Sequence, residues 1–304
     1  MNKPIAARRY PLHLTISVLF ITLVVVLGVV LSWQNYSKTS DIILSSADKM
    51  YDQVPRELLL DIKATYRPVG DTLGLLALTP LVRATSLPER LESVPLLVTA
   101  LRNEPAVTGI QVGYADGDFF IVRPLSDSVL RQRFAAPDDA LFMADHVEEG
   151  AAGERQLTRI FFDVTLQEIA RDLPVKTDYD PRLREWYTQA LDKTGLILTE
   201  PYLFYFMRMA GLTLAREVDN GVVVGSDVTL ARLSETIGRY RVTPGTEIVL
   251  FGADGHALAY PDTGKLLQAE DENGLRMARL SELGSPVLAF LGKDLKAEPR
   301  SLKF

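Results

Sequence analysis

From Pro11 to Trp33 the chain carries no charged side chain, and only His13, Thr15, Ser17, Thr22 and Ser32 interrupt a run of apolar residues. At 1.5 Å of rise per residue, about 23 residues make a helix of roughly 34 Å, enough to cross the hydrocarbon core of a bilayer. Arg8 and Arg9 precede the run and Trp33 closes it. Basic residues stay on the cytoplasmic side and tryptophan favours an interface, so residues 1–10 are expected in the cytoplasm, 11–33 in the membrane and the rest outside it. A cleavable signal peptide fits less well, because the apolar core is long and no A-x-A-like site follows.

The remainder is globular in composition, with 47% apolar and 24% charged residues over the 304-residue chain. The formal charge of −6 is unevenly distributed: Lys3, Arg8 and Arg9 precede Trp33 with no acid, leaving 30 basic against 39 acidic side chains beyond it. A surface of that sign does not neutralise phosphates, so nucleic acid is excluded as a partner. Without cysteine there is no disulfide, thiolate metal site or cysteine nucleophile. His13, His146 and His256 lack ligand spacing, so no metal and no cofactor is expected. Nor does the chain contain G-x-S-x-G, H-E-x-x-H or a G-x-x-x-x-G-K phosphate loop, and the adjacent Asp138 and Asp139 read as solvated surface. The expectation is a protein without catalytic activity in these residues.

After the span, Ile43, Met50, Val54, Leu58, Ile62, Tyr66 and Val69 recur at helical spacing. A long helix and helical lead-in over 34–104 follows, with Pro55 and Pro68 expected to bend or interrupt it and Pro80, Pro88 and Pro95 to cut what comes next. The apolar face from Ile43 to Val69 suits either a homodimer contact or cover for a sheet. Val107–Tyr114 and Phe119–Arg123 read as a hairpin around Asp116-Gly-Asp118. The polar stretch Leu125–Glu154 reads as a variable loop with one short helix, Leu157–Asp163 as a strand, and Gly195–Leu198 as another. Asp219-Asn-Gly221 marks a second hairpin between Leu212–Glu217 and Val222–Val228. Helical spacing returns over Val228–Tyr240. Beyond Pro244-Gly245, Glu247–Phe251 and Ala257–Tyr260 pair across Asp254-Gly255, a helix carries Leu280–Leu291, and Ser301–Phe304 begins a further strand.

Tyr179-Asp-Pro-Arg-Leu-Arg-Glu-Trp-Tyr187 packs three aromatics and two arginines into nine residues. If Pro181 opens a helix, Arg184, Trp186 and Tyr187 share its first two turns, and a guanidinium beside an indole N–H and a phenol can hold a small anion. Composition alone is equally served by an exposed arginine next to a half-buried Trp-Tyr pair. The run D-P-R-x-R-x-W-Y, then Thr199-Glu-Pro-Tyr202 and Gly225-Ser-Asp227-Val-Thr-Leu, resembles the double-Cache (dCache_1) extracytoplasmic sensor regions of bacterial transmembrane receptors, over roughly Gln34–Phe304. The amino-acid-binding branch of that family carries Tyr, Arg, Trp, Tyr, a later Tyr and a last Asp. The matching positions are Tyr179, Arg184, Trp186, Tyr187, Tyr202 and Asp227.

The resemblance implies an α/β (α+β) ectodomain of two PAS-like antiparallel-sheet modules, a membrane-distal, ligand-binding one over 105–242 and a membrane-proximal one over 243–304. On that pattern the proximal module is incomplete, and a partial chain is expected. The resemblance also implies a small-molecule ligand, most readily an amino acid, bound outside the inner membrane, and a cytoplasmic output such as a nucleotide cyclase, histidine kinase or chemotaxis domain. A simple carboxylate is the alternative ligand, and a membrane anchor without a sensing role the alternative function. For Asp227, partnership with a ligand ammonium competes with capping of the helix that begins near Thr229. Selectivity for the ligand's side chain would fall to strands such as 107–122, where no code is readable.

Overall fold

The computed structural model describes residues 12–150, 153–241, 243–252, 254–271 and 274–294. The expected cytoplasmic segment with Arg8 and Arg9, and the strand at 301–304, lie outside the described residues. Two units are recognised, Met1–Glu57 and Leu58–Phe304.

In the first unit the chain is α-helical from Leu12, and Ile16–Ile43 is long and apolar enough to cross a membrane, with mean hydropathy 2.7 and none of it buried. This helix, α1, is assigned over Leu12–Leu76. Neither Pro55 nor Pro68 interrupts it, contrary to expectation. Both rings are exposed, and each proline deletes a single backbone bond while its neighbours keep theirs.

The second unit begins with the last turns of α1, where Leu58, Ile62, Tyr66, Val69, Leu73 and Leu76 turn one face into a hydrophobic core. That choice settles the dual reading of this face. From Leu58 onward it covers the sheet and is unavailable for a dimer, whereas Ile43 is exposed. A 3-10 turn (Pro80–Arg83), α2 (Leu87–Leu91) and α3 (Val94–Asn103) follow. Pro80, Pro88 and Pro95 each stand in the opening positions of these elements, so they start helices instead of cutting one.

Ten antiparallel strands form the main sheet: β1 (Gly109–Gly113), β2 (Phe119–Pro124), β3 (Phe142–Glu149), β4 (Arg155–Phe162), β5 (Glu168–Arg171), β6 (Val175–Lys176), β7 (Ile197–Leu198), β8 (Tyr202–Leu203), β9 (Ala210–Asp219) and β10 (Val222–Thr229). Their order is β5-β4-β3-β2-β1-β10-β9-β7, with β6 on β4 and β8 on β9. Both expected hairpins form, and Asn220 and Gly221 take the positive φ values of 48° and 78° that so tight a turn demands. Alternation splits the buried β2 between two faces: Phe120 and Val122 join the core under α1 and α3, while Phe119 and Ile121 join a second cluster under α5 (Glu185–Asp192).

The expected loop at 125–154 is a correction. It contains α4 (Ser128–Arg133) and the eight-residue strand β3. Asp145 and His146 sit in the middle of β3 and break its apolar alternation, yet both are fully buried. Asp145 takes Arg123 at 2.6 Å and Arg159 at 2.8 Å, and His146 lies 2.5 Å from Arg90. Charges that are paired across strands leave no trace in a linear hydrophobic pattern.

Beyond β10, α6 (Leu230–Gly238) buries Leu230, Leu233 and Ile237. The expected pair then forms as β11 (Leu250–Phe251) and β12 (Ala257–Ala259), and a second pair, β13 (Leu267–Asp271) with β14 (Gly274–Met277), was not anticipated. A 3-10 turn at Leu280–Glu282 and α7 (Pro286–Asp294) occupy the expected helical stretch.

Candidate ligand pocket

Pro181 opens a 3-10 turn, Pro181–Leu183, and not α5 itself. Arg184 follows in extended conformation (φ −100°, ψ 142°) at the N-cap of α5, and Trp186 and Tyr187 are buried in its first turn. The helix rests on β1 at Gly113, where a Cβ would come within 2.9 Å of both Trp186 and Tyr187 and 3.0 Å of Pro181. Glycine is required there for the helix to lie so close.

Five of the six expected residues, Tyr179, Arg184, Trp186, Tyr202 and Asp227, line one cavity. It holds about 290 Å³ free of protein atoms, of which about 20 Å³ is open to the centre of a water molecule. Tyr187 is not among the lining residues. Its hydroxyl donates to the carbonyl of Gly221 in the β9–β10 turn, and its ring meets Trp186 edge-on at 5.7 Å.

Asp227 is 4% exposed, and its Oδ1 accepts from Gln111 Nε2 at 3.1 Å and from Thr213 Oγ1 at 2.7 Å. Because Thr213 gives its single proton to Asp227, the 2.6 Å contact with Tyr202 makes the phenol the donor to Thr213. Burial pushes the Asp227 carboxyl up to about 6, against these bonds and the Arg123 charge, which favour ionisation. The capping alternative is excluded: Thr229 is the N-cap of α6 and makes no side-chain cap bond, and the Asp227 carboxylate is committed to Gln111 and Thr213.

The Arg184 side chain makes no hydrogen bond or ion pair among the described residues; its guanidinium lies 5.8 Å from the ring of Tyr179 and 5.6 Å from that of Tyr205. Burial raises the phenols of Tyr179 and Tyr202 above their ordinary range, so both stay protonated donors. A half-exposed cation and a buried carboxylate, with aromatic faces between them, can hold a molecule by two oppositely charged ends.

The remaining wall includes Gln111, Arg123, Tyr205 and Phe206, none of which was singled out from sequence. For Arg123 a signal existed: a lone charge at the end of Phe-Phe-Ile-Val is out of place in a buried strand unless it is paired or functional. Gln111 gave no such signal. A more open cleft elsewhere is lined by Glu200, Asp254, His256, Arg276, Arg279 and Glu282, but its charges largely answer one another, Arg276 bridging to Glu282 at 2.6 Å and His256 to Asp254 at 2.6 Å.

No family model matches the chain. Adenylate cyclase 1 of Rhizobium meliloti is 24% identical over 268 residues, which cover 86% of this chain and 40% of that protein. The methyl-accepting chemotaxis protein McpG of Pseudomonas putida is 31% identical over 142 residues, covering 44% of this chain and 21% of that protein. The chain therefore spans less than half the length of the curated relatives it matches. Among solved structures, the ligand-binding domain of the Pseudomonas fluorescens chemoreceptor CtaA in complex with L-alanine has a TM-score of 0.45 and 20% identity over 78% of this chain and 77% of that one.

Proposed function

We propose that the chain is the sensory region of a transmembrane signalling receptor and that the cavity beneath α5 binds an α-amino acid. The observation that carries this reading is the joint presence, in one aromatic-lined cavity, of an unpaired Arg184 and a buried Asp227. The guanidinium fork takes the ligand's carboxylate, with the protonated Tyr179 hydroxyl as a further donor and the rings of Trp186 and Tyr202 as walls. Asp227 takes the ammonium. A ligand with a carboxylate alone would leave that acid facing it as a repulsive group, so the simple-carboxylate reading is the weaker one.

In this proposal the sheet over 105–242 is the membrane-distal, PAS-like module of a double-Cache fold, and the two small sheets within 243–304 belong to the proximal one. Residues 11–33 span the inner membrane with the N-terminus in the cytoplasm, which places the pocket in the periplasm. The exposed part of α1 near Ile43 remains for contact with a second copy, and the output is a cytoplasmic cyclase or chemotaxis domain of the kind the sequence relatives carry.

Calorimetry on the full chain in nanodiscs tests the ligand. The wild type should bind an α-amino acid and discriminate strongly against its deaminated carboxylate, and Asp227→Asn should lose that preference. Equal affinities throughout would remove the amine from the proposal. For topology, alkaline phosphatase fused after Phe304 should be active, and an active cytoplasmic reporter at that point would reverse the orientation.

A further inference from the structure

The register of the sheet sets Arg123 and Asp227 along one line. Asp227 pairs with Gly109 on β1, and β1 next pairs Ile110 with Val122, which puts Gly109 on the strand between Asp227 and Arg123. Two strand spacings, about 10 Å, separate the two backbones. The intervening Gly109 has no side chain to fill the gap, and a Cβ there would approach Ile121 Cδ1 to 3.2 Å. Ile121 closes over that position, and Asp227 and Arg123 both line the cavity.

Arg123 is 2% exposed, yet among the described residues only its Nη1 makes a hydrogen bond, to Asp145 at 2.6 Å. Its Nε is buried without a partner. Asp145 is itself shared with Arg159 at 2.8 Å. The charged residues that line the cavity are therefore Arg123 and Arg184 against Asp227, with the Arg123 partner Asp145 behind them shared with Arg159; Asp178 and Arg208 are exposed beside Tyr205, whose hydroxyl donates to Asp178. A zwitterion of net charge zero leaves one of those guanidiniums uncompensated in a largely buried site, which is costly. A ligand of net charge −1 removes the excess.

Resting on the amino-acid reading of the pocket, we infer that Arg123 determines specificity by binding the ligand's side chain, and that the ligand is an acidic α-amino acid. Its α-carboxylate meets Arg184, its ammonium Asp227, and its side-chain carboxylate the open edge of the Arg123 guanidinium.

Calorimetry on the full chain in nanodiscs decides this, using L-aspartate and L-glutamate against the isosteric L-asparagine and L-glutamine, with L-alanine as reference. One acidic amino acid should bind at least tenfold more tightly than its amide. Arg123→Gln should abolish that ratio while retaining affinity for the amide. Because that change exposes Asp145 to a weaker partner, Arg123→Lys, which keeps the ion pair but loses the planar fork, serves as the second variant. It should weaken the acidic ligand several-fold and leave the amide unmoved. Wild type that binds amides or alanine as tightly as the acids would overturn this inference and spare the amino-acid pocket, as would Arg123→Lys weakening both classes equally. Failure of every amino acid to bind would overturn both.

Discussion

The two faces of the main sheet are made from the same strands and spend their buried residues differently. On the α1–α3 face, Phe120, Val122, Ile110 and Leu214 join one continuous apolar core, and the buried Arg90 beside it bonds through both terminal nitrogens, although its Nε, like that of Arg123, has no partner among the described residues. Arg90 reaches Asp118 at 2.8 Å and the Ala84 carbonyl at 3.2 Å and lies 4.0 Å above the ring of Tyr114, while burial and the Arg90 charge drive His146 down to about 3, so it stays neutral. On the α5 face, among the described residues, the Arg123 side chain has one hydrogen-bond partner and the Arg184 side chain none, and Asp227 Oδ1 accepts from Gln111 and Thr213 while feeling the Arg123 charge. One face is mainly apolar packing, and the other carries the charges that the proposed ligand would engage.

Substitutions that act on stability alone or binding alone test the contrast. On the core face, Leu97→Ala should cost about 2–5 kcal/mol of unfolding free energy in denaturant titration and leave the affinity of the surviving folded protein unchanged. On the pocket face, Arg184→Ala should lose about 2–5 kcal/mol of binding by calorimetry, because the ligand's charge is left buried without its partner, while the melting temperature barely moves. An Arg184→Ala protein that is destabilised as severely as Leu97→Ala would erase the distinction.

Asp227 makes the contrast pH-dependent. Its folded value of about 6 lies above the ordinary 3.8, so the fold favours the protonated acid. That contribution is fully present below about 3.8 and is lost as pH rises through about 6, leaving the ionised group a burden on the order of 3 kcal/mol at neutral pH. Asp227→Asn, which still accepts from Gln111 and Thr213, should therefore melt higher than wild type at pH 7 and lose that advantage by pH 4. Binding of an ammonium needs the ionised acid, so affinity should fall as pH drops below about 6, and titrations across pH 5–8 would read it directly. The smallest effect belongs to Tyr187→Phe: losing the bond to Gly221 should cost about 0.5–1.5 kcal/mol of stability and leave affinity untouched.

What the linear sequence made legible follows the same division. Turn chemistry located both hairpins, because Asp-Gly and Asn-Gly act locally. The pocket residues Arg184, Trp186 and Tyr202 were readable through motif spacing, and Tyr187 stood out with them although its hydroxyl is spent on Gly221. Strand β3 was not, and Arg123 showed only as a charge out of place in a buried strand, since Asp145 and His146 are explained only by arginines 14 to 56 residues away in the chain. Burial of charge is a long-range decision, and no window of neighbouring residues contains it.

Gly113 carries a mechanical corollary. A side chain at position 113 would collide with Trp186, Tyr187 and Pro181, so any residue but glycine there would push α5 away from β1. Only about 20 Å³ is free for the centre of a water, so on the proposed reading an amino acid would have to displace lining side chains, among them Tyr205 and Phe206, which follow β8. Those two rings lean on Tyr179 at 5.1 and 4.8 Å, and the chain just beyond them, through Arg208 with its positive φ of 52°, turns directly into β9. A ligand that pushed these two rings aside would press on the segment leading into β9, which would give the proposed response a direction.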